Sequence, residues 1–202
     1  RMSNKMSHSK KQRILQLSAN LISKEGLSSV SFRKIANASG FTVGSIQNFF
    51  KSQENFYVKI MDYIEFCAIQ RAEKLELFQH GISLEDFILY SEQLLPLDHI
   101  RKMELMAWTA LVGLSNVYPK IQQKSQDLLL KNYDSMEKAI DLMKVANIFA
   151  VRLDTPIISS IYYSFLEGLS QHSFVMPQKY TYSHMKELNQ FFITENFIAG
   201  KE

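Results

Sequence analysis

The sequence predicts an all-α protein of about nine helices, and three observations carry that reading. Glycine and proline are scarce, at 7 and 4 of 202 residues, which disfavours the turn-rich connections of a β architecture. Apolar residues recur at spacings of three and four along most of the chain, and no run alternates with the period of two that a half-buried strand shows. Capping residues and helix stops fall between the periodic runs. A composition of 46% hydrophobic and 21% charged residues fits a folded chain rather than a disordered one.

The elements follow in order. Residues 1–9 are polar and without periodicity, and read as a frayed arm. From Lys10, the positions Ile14, Leu17, Leu21 and Ile22 give a first helix one apolar side, and Gly26 ends it. Ser31 is placed to cap a short helix, "FRKIANA", which Gly40 closes. Thr42 caps a third helix, "VGSIQNFF", and Ser52 a fourth that runs from Gln53 to about Phe78 without a Gly or Pro. Ser83 opens a fifth helix that stops near Pro96, and Asp98 a sixth through Trp108 to about Val117. Pro119 suits the first turn of a long helix to about Phe149. Asp154 or Thr155 caps the next, to about Phe174. Tyr182 or Ser183 opens the last, which ends near Ala199–Gly200.

Charge is unevenly distributed. Residues 1–59 hold ten basic and two acidic residues, a net +8, whereas the remainder holds 13 basic and 18 acidic, a net −5. Without Arg1, which precedes Met2, the first segment still carries +7. A basic N-terminal quarter on an acidic body points to a polyanionic partner for the first part only. The single cysteine, Cys67, cannot form an intramolecular disulfide, and it reads as a small buried helix residue. No apolar run reaches the length of a membrane span, and no apolar signal core follows the basic start. These features set a cytoplasmic expectation.

The stretch "SFRKIANASGFTVGSIQNFF" meets the demands of a helix-turn-helix, a short helix and a tight turn followed by a helix able to enter the major groove. Ile35 and Ala36 give the first helix a packing side, Phe41 plugs the turn, and Ile46 and Phe50, four apart, share the buried face of the second. That leaves Val43, Ser45, Gln47, Asn48 and Lys51 for the other faces. Gln47 and Asn48 carry amides suited to base edges or phosphates. Gly44 allows close backbone approach, and Thr42 with the first amides of its helix suits a phosphate. Ser31 and Arg33 complete the DNA-facing set. No acid occurs between Glu25 and Glu54, so nothing on this stretch repels phosphate.

Gly26, Val30, Ser31, Ile35, Ala36, Ser39, Gly40, Phe41, Thr42, Gly44, Ile46, Phe50, Ser52 and Glu54 together resemble the N-terminal motif of TetR-type transcriptional regulators, over about residues 10–60. The resemblance implies a DNA-binding domain at 8–60, with the helix-turn-helix at about 31–50, and a ligand-binding and dimerisation domain at 61–202. Many such regulators carry Tyr where this chain has Gln47, His at Asn48 or Phe49, and Lys at Gln53. These residues usually touch phosphates, so this head departs from the common contact set, and Lys51 offers a replacement charge.

In the eighth helix, Ser160, Ser164 and Gly168 form a ridge of small residues that permits a close helix crossing, beside an apolar row of Ile157, Ile161, Phe165 and Leu169. The last helix adds Phe192 and other apolar residues. The resemblance implies that Ser160, Ser164, Gly168, Phe165 and Phe192 belong to a homodimer interface of four helices, which would present two heads to a palindromic operator. It also implies a cavity for a small-molecule effector, with Phe66, Tyr90, Glu104, Trp108, Tyr133 and Tyr162 as its candidate lining. The segment "KMELMAWTALVGLSNVYPKIQQKSQDLL" and the ending "HMKELNQFFITENF" look most like the choline-responsive branch. An aromatic site near Glu104 would suit a cationic or amphipathic effector, although a solvated surface position for Glu104 is the favoured reading.

The implied function is repression of transcription released by the effector, with the long fourth helix rotating between head spacings. The competing readings are a helical adaptor or ligand-binding protein with weakened DNA binding, and an enzyme. No GxSxG, HExxH, phosphate-binding Gly loop or paired Cys supports catalysis, and the five histidines show no metal-ligand spacing. No cofactor is expected.

Overall fold

The computed structural model describes residues 2–79 and 81–198, with side chains from Ser9 onward. Among the described residues there are nine α-helices: α1 (Met2–Glu25), α2 (Phe32–Ser39), α3 (Val43–Phe50), α4 (Gln53–Glu73), α5 (Leu84–Glu92), α6 (His99–Val112), α7 (Pro119–Val145), α8 (Thr155–Val175) and α9 (Tyr182–Asn196). The only extended pairing among them is an isolated antiparallel bridge between Phe149 and Ile198. The all-α expectation and the helix order are met.

The helices divide between two compact units. One holds the chain up to Ile69 together with Met103–Asp127, and the other holds Gln70–Lys102 together with the chain from Leu128 on.

The first unit is built on α1. Ile14, Leu15, Ala19 and Ile22 pack against Ile35 and Ala36 of α2, Ile46 and Phe50 of α3, and Phe56, Ile60 and Ile64 of α4. Phe50 lies 4.6 Å and Phe32 5.6 Å from Phe56, ring centre to ring centre. Such tilted aromatic contacts add about 0.5–1.5 kcal/mol each beyond their burial. Ala107, Leu111 and Ile121 belong to the same core. A ladder of charges borders it: Lys120 donates its backbone N–H to Glu54 at 3.0 Å, and Lys124 pairs with Asp62 at 2.8 Å and with Glu65. Burial alone would raise the Asp62 carboxyl, but hydrogen bonds and charge from Lys124 and Lys59 outweigh it and hold it below the usual range.

The second unit centres on a cluster of aromatics in edge-on and stacked contact. Phe87 meets Phe149 at 4.7 Å, and Tyr162 meets Phe197 at 5.0 Å and Phe192 at 5.2 Å. A polar thread runs through this core: the Tyr162 hydroxyl donates to Asn189 at 2.6 Å, Asn189 to Ser91 at 2.9 Å, and Ser91 to the Ile88 carbonyl at 2.8 Å. Each buried group has its partner, as burial demands.

Several boundaries differ from those expected. The polar start is helical from Met2 instead of a frayed arm. Helix α4 ends at Glu73 instead of Phe78, because the chain tightens into turns in which Leu75 bonds Ala72 and Glu76 bonds Glu73. Glu76 and Phe78 then take positive φ. After Val112, Leu114 and Ser115 bond three residues back, and α6 stops short of Val117. Helix α7 ends at Val145 because Asn147 adopts φ 55°, with Ile148 and Phe149 both donating to the Met143 carbonyl. Asparagine tolerates the left-handed region better than most residues, so it can end a helix where no glycine stands. Helix α9 does open at Tyr182, one of the two starts expected, with Thr181 as its cap. The expected close at Ala199–Gly200 lies outside the described residues.

Candidate nucleic-acid interface

The head is shaped by its caps. The Ser31 hydroxyl accepts the Lys34 N–H at 3.2 Å and starts α2. Gly40, at φ 75°, ends it in the left-handed conformation that glycine adopts without steric cost. Ser39 ties the turn, its hydroxyl donating to the Ile35 carbonyl at 2.6 Å. The Thr42 side chain then accepts the Ser45 N–H at 3.1 Å, and the two hydroxyls lie 2.9 Å apart. Each such cap is worth about 1 kcal/mol. Phe41 packs in the turn, and Ile46 and Phe50 face the core.

With that face buried, the rest of α3 is fixed. Gly44, Gln47 and Asn48 are exposed, Val43 is 39% exposed, and Ser45 is half-buried on the flank. Ser31, Arg33, Thr42 and Lys51 are exposed as well. Lys51 ends the helix at φ 64°, its N–H reaching the Gln47 carbonyl at 2.7 Å. Gln53 serves the frame instead of the exposed face. Its side-chain amide donates to the Val30 carbonyl at 3.0 Å and so fastens the start of α4 to the loop before α2. Lys34 is likewise engaged, donating to the Ser28 carbonyl at 2.8 Å.

The six candidate effector residues fall three in each unit. In the first, Phe66 is about half exposed at 49%, and Trp108 is half-buried against the head's core. Glu104 is 4% exposed, which corrects the expectation of a solvated carboxylate: α6 turns it inward with Ala107 and Leu111. Burial raises the Tyr63 hydroxyl, and its bond to Cys67 and the nearby charges of Cys67 and Glu104 raise it further. In the second unit, Tyr162 is fully buried in the polar thread. Burial pushes Tyr90 up to about 12, against a hydrogen bond with Ser135. Tyr133 stands edge-on to Tyr163 at 5.1 Å, and Asn132 donates to the Tyr163 hydroxyl at 2.8 Å. Sequence reasoning missed Ser91 and Asn189; only their polarity amid apolar helix positions marked them.

Of the residues assigned to pairing, Ser160 and Ser164 are exposed, Gly168 is half-buried, and Phe165 stacks on Phe192 at 4.5 Å. Beside them Ile157 is 59%, Ile161 51% and Val175 78% exposed, and Phe191 of α9 is 66% exposed. Leu169, from the same expected row, is buried.

Known proteins resemble this chain at both levels. Residues 14–60 match the family described as bacterial regulatory proteins, tetR family. The HTH-type transcriptional regulator AcrR of Shigella flexneri is 25% identical over 182 residues, covering 84% of this chain and 80% of that protein. Among solved structures, a transcriptional regulator from Saccharomonospora viridis in complex with choline superposes with a TM-score of 0.84 at 20% identity, covering 94% of this chain and 98% of that one. The SmeT–triclosan complex does so with a TM-score of 0.75 at 14% identity, covering 96% and 93%. These two likenesses concern the fold. The matched head, whose exposed helix face carries amides and bases without a carboxylate, and the AcrR likeness along most of the chain identify it as a DNA-binding transcriptional regulator whose residues 14–60 are similar to those of the tetR family.

Proposed function

We propose that this regulator is a homodimeric repressor whose residues 8–60 hold operator DNA and whose residues 61–202 pair and bind a cationic or amphipathic effector. The observation that carries the DNA contacts is the exposed set Thr42, Val43, Gly44, Gln47, Asn48 and Lys51, placed by caps on both short helices. Ser31, Arg33 and Ser45 flank it. Gln47 and Asn48 read bases, and the remainder position the head on phosphates. Pairing is supported by Ile157, Ile161, Val175 and Phe191, which leave an apolar surface in water beside small residues. Ser160, Ser164, Gly168, Phe165 and Phe192 complete that surface.

For the effector, Glu104 is the anchor: a buried carboxylate four residues from Trp108 on the same helix, suited to a quaternary or primary ammonium through charge and ring contacts. Phe66, in the same compact unit, supplies further candidate lining. The choline found with the Saccharomonospora viridis regulator supports this chemistry. Trp108 is the sole tryptophan, so its fluorescence reports on the site directly. Titration with choline is expected to change that emission and to weaken binding to the DNA fragment that the protein selects from a random pool. By linkage, that DNA weakens choline binding by the same factor. If saturating choline alters neither Trp108 emission nor DNA affinity, the choline-like effector is excluded. Glu104→Gln should abolish the response while DNA binding persists.

A further inference from the structure

The two flanks of α3 are served differently. Successive helical residues turn by about 100°, so Gly44, Gln47 and Asn48 share the exposed arc, and Ile46 and Phe50 the buried one. Ser45 and Phe49, four apart, form the flank between them, and both are half-buried. Helix α3 places no basic residue on that flank. The cation there comes from α1: the Lys11 ammonium lies 5.5 Å from the centre of the Phe49 ring. No acidic residue occurs before Glu25 or between Glu25 and Glu54, so the sequence around this pair adds positive charge only.

A cation–π contact at a partly exposed site is worth about 0.5–1 kcal/mol. That biases the lysine toward one position without removing its hydration. An ammonium has three donors, and a ring face engages it from one direction only, which leaves hydrogen-bonding capacity for a phosphate oxygen. Lys34 differs in where it is held: one of its three donors is tied to the Ser28 carbonyl at 2.8 Å, beside α2 and not beside the flank of α3. We propose that Lys11 is a phosphate-binding residue of the DNA interface and that the Phe49 ring positions it beside the recognition helix. The proposal rests on the DNA-binding reading and adds to it a contact supplied from α1.

The test uses the full-length protein, the duplex it selects from a random pool, and an unrelated duplex of equal length, across a series of KCl concentrations. Lys11→Gln should weaken both complexes by a similar factor. It should also reduce the slope of log affinity against log salt by about 0.9 for each chain bound. Lys11→Arg should restore the slope, and Lys34→Gln should change it less than Lys11→Gln does. Phe49→Leu should lower affinity several-fold while retaining the charge. An unchanged slope in Lys11→Gln would overturn the proposal even if affinity or melting temperature fell, since packing against Phe49 would then be the lysine's only role. Equal slope losses in Lys11→Gln and Lys34→Gln would overturn it too, by showing a diffuse charge effect. If the unaltered protein bound neither duplex in a salt-dependent way, the DNA-binding reading itself would fail.

Discussion

Helices α3 and α8 each leave one face uncovered, and the two faces differ in what they would lose by staying in water. On α3 and its caps the uncovered side chains around Gly44 are amides, a hydroxyl and a lysine, which water satisfies, with Val43 at 39% exposure the apolar member. On α8, Ile157 and Ile161 stand 59% and 51% exposed in a helix whose other side is already core. Apolar surface gains about 25 cal/mol for each Å² removed from water, whereas a polar face gains little until a specific partner meets it. The same secondary structure therefore suits a reversible contact in one place and a lasting one in the other.

The largest expected effect tests the apolar face. Ile157→Asp combined with Ile161→Asp should weaken self-association at least 100-fold, because like charges meeting across a two-fold contact cost several kcal/mol. Sedimentation equilibrium would show the shift to monomer, and an unchanged dimer would remove this face from the interface. The next effect tests the polar face. Gln47→Ala with Asn48→Ala should cost about 1–3 kcal/mol of discrimination between the selected duplex and an unrelated one. The salt slope should hardly change, since neither side chain carries charge. A uniform loss on both duplexes would instead assign these amides to the backbone of the DNA.

How far these faces could be read in advance follows from the range of the interactions. The caps Ser31 and Thr42, the stop at Gly40 and the buried pair Ile46 and Phe50 act within one or two turns, so their spacing in the sequence is sufficient. The exposed set on α3 follows from them by helix periodicity alone. Contacts between distant segments leave no such trace. Gln53 holding Val30, Lys11 over Phe49, and Asn189 joining Tyr162 to Ser91 link residues far apart in the chain. The solvated position expected for Glu104 fails for the same reason: its burial depends on what packs over α6. The end of α7 was legible in principle, because Asn147 supplies the left-handed residue, but asparagine signals it more weakly than glycine.

A third prediction concerns the frame that holds the polar face. Lys124 is 16% exposed and Glu65 12%, so Lys124→Met strands a mostly buried carboxylate and should cost about 2 kcal/mol in urea denaturation. The pairing also sets a direction with pH. The Asp62 carboxyl is held below its usual range in the folded protein, so its stabilisation is complete above the unfolded value, about 3.9. It is lost as pH falls through the lower folded value. The Lys124 ammonium is raised, its bonds and charge contacts with Asp62 and Glu65 outweighing burial. Its share is therefore present below about 10.4 and lost as pH rises through the folded value. Stability measured between pH 5 and 9 should be flat on account of this pair, and a decline within that window that Lys124→Met removes would contradict it. Asp62 is 37% exposed, so solvent screening reduces its part, and Glu65 carries most of the loss.

The smallest effect separates the shape of the polar face from its chemistry. Thr42→Ala removes the acceptor of the Ser45 N–H and should cost about 1 kcal/mol of stability. Thr42→Ser keeps a hydroxyl able to cap, and should keep that stability. If Thr42 only caps α3, DNA affinity should fall with the alanine by no more than its stability loss explains, and survive with the serine. If its hydroxyl also meets phosphate, the serine again suffices, but the alanine should lose affinity beyond what its stability loss explains, because a folded head with one donor fewer still binds less tightly. Measuring both variants well below their melting temperatures makes that distinction. There the polar face is formed in each, and the remaining difference is the contact itself.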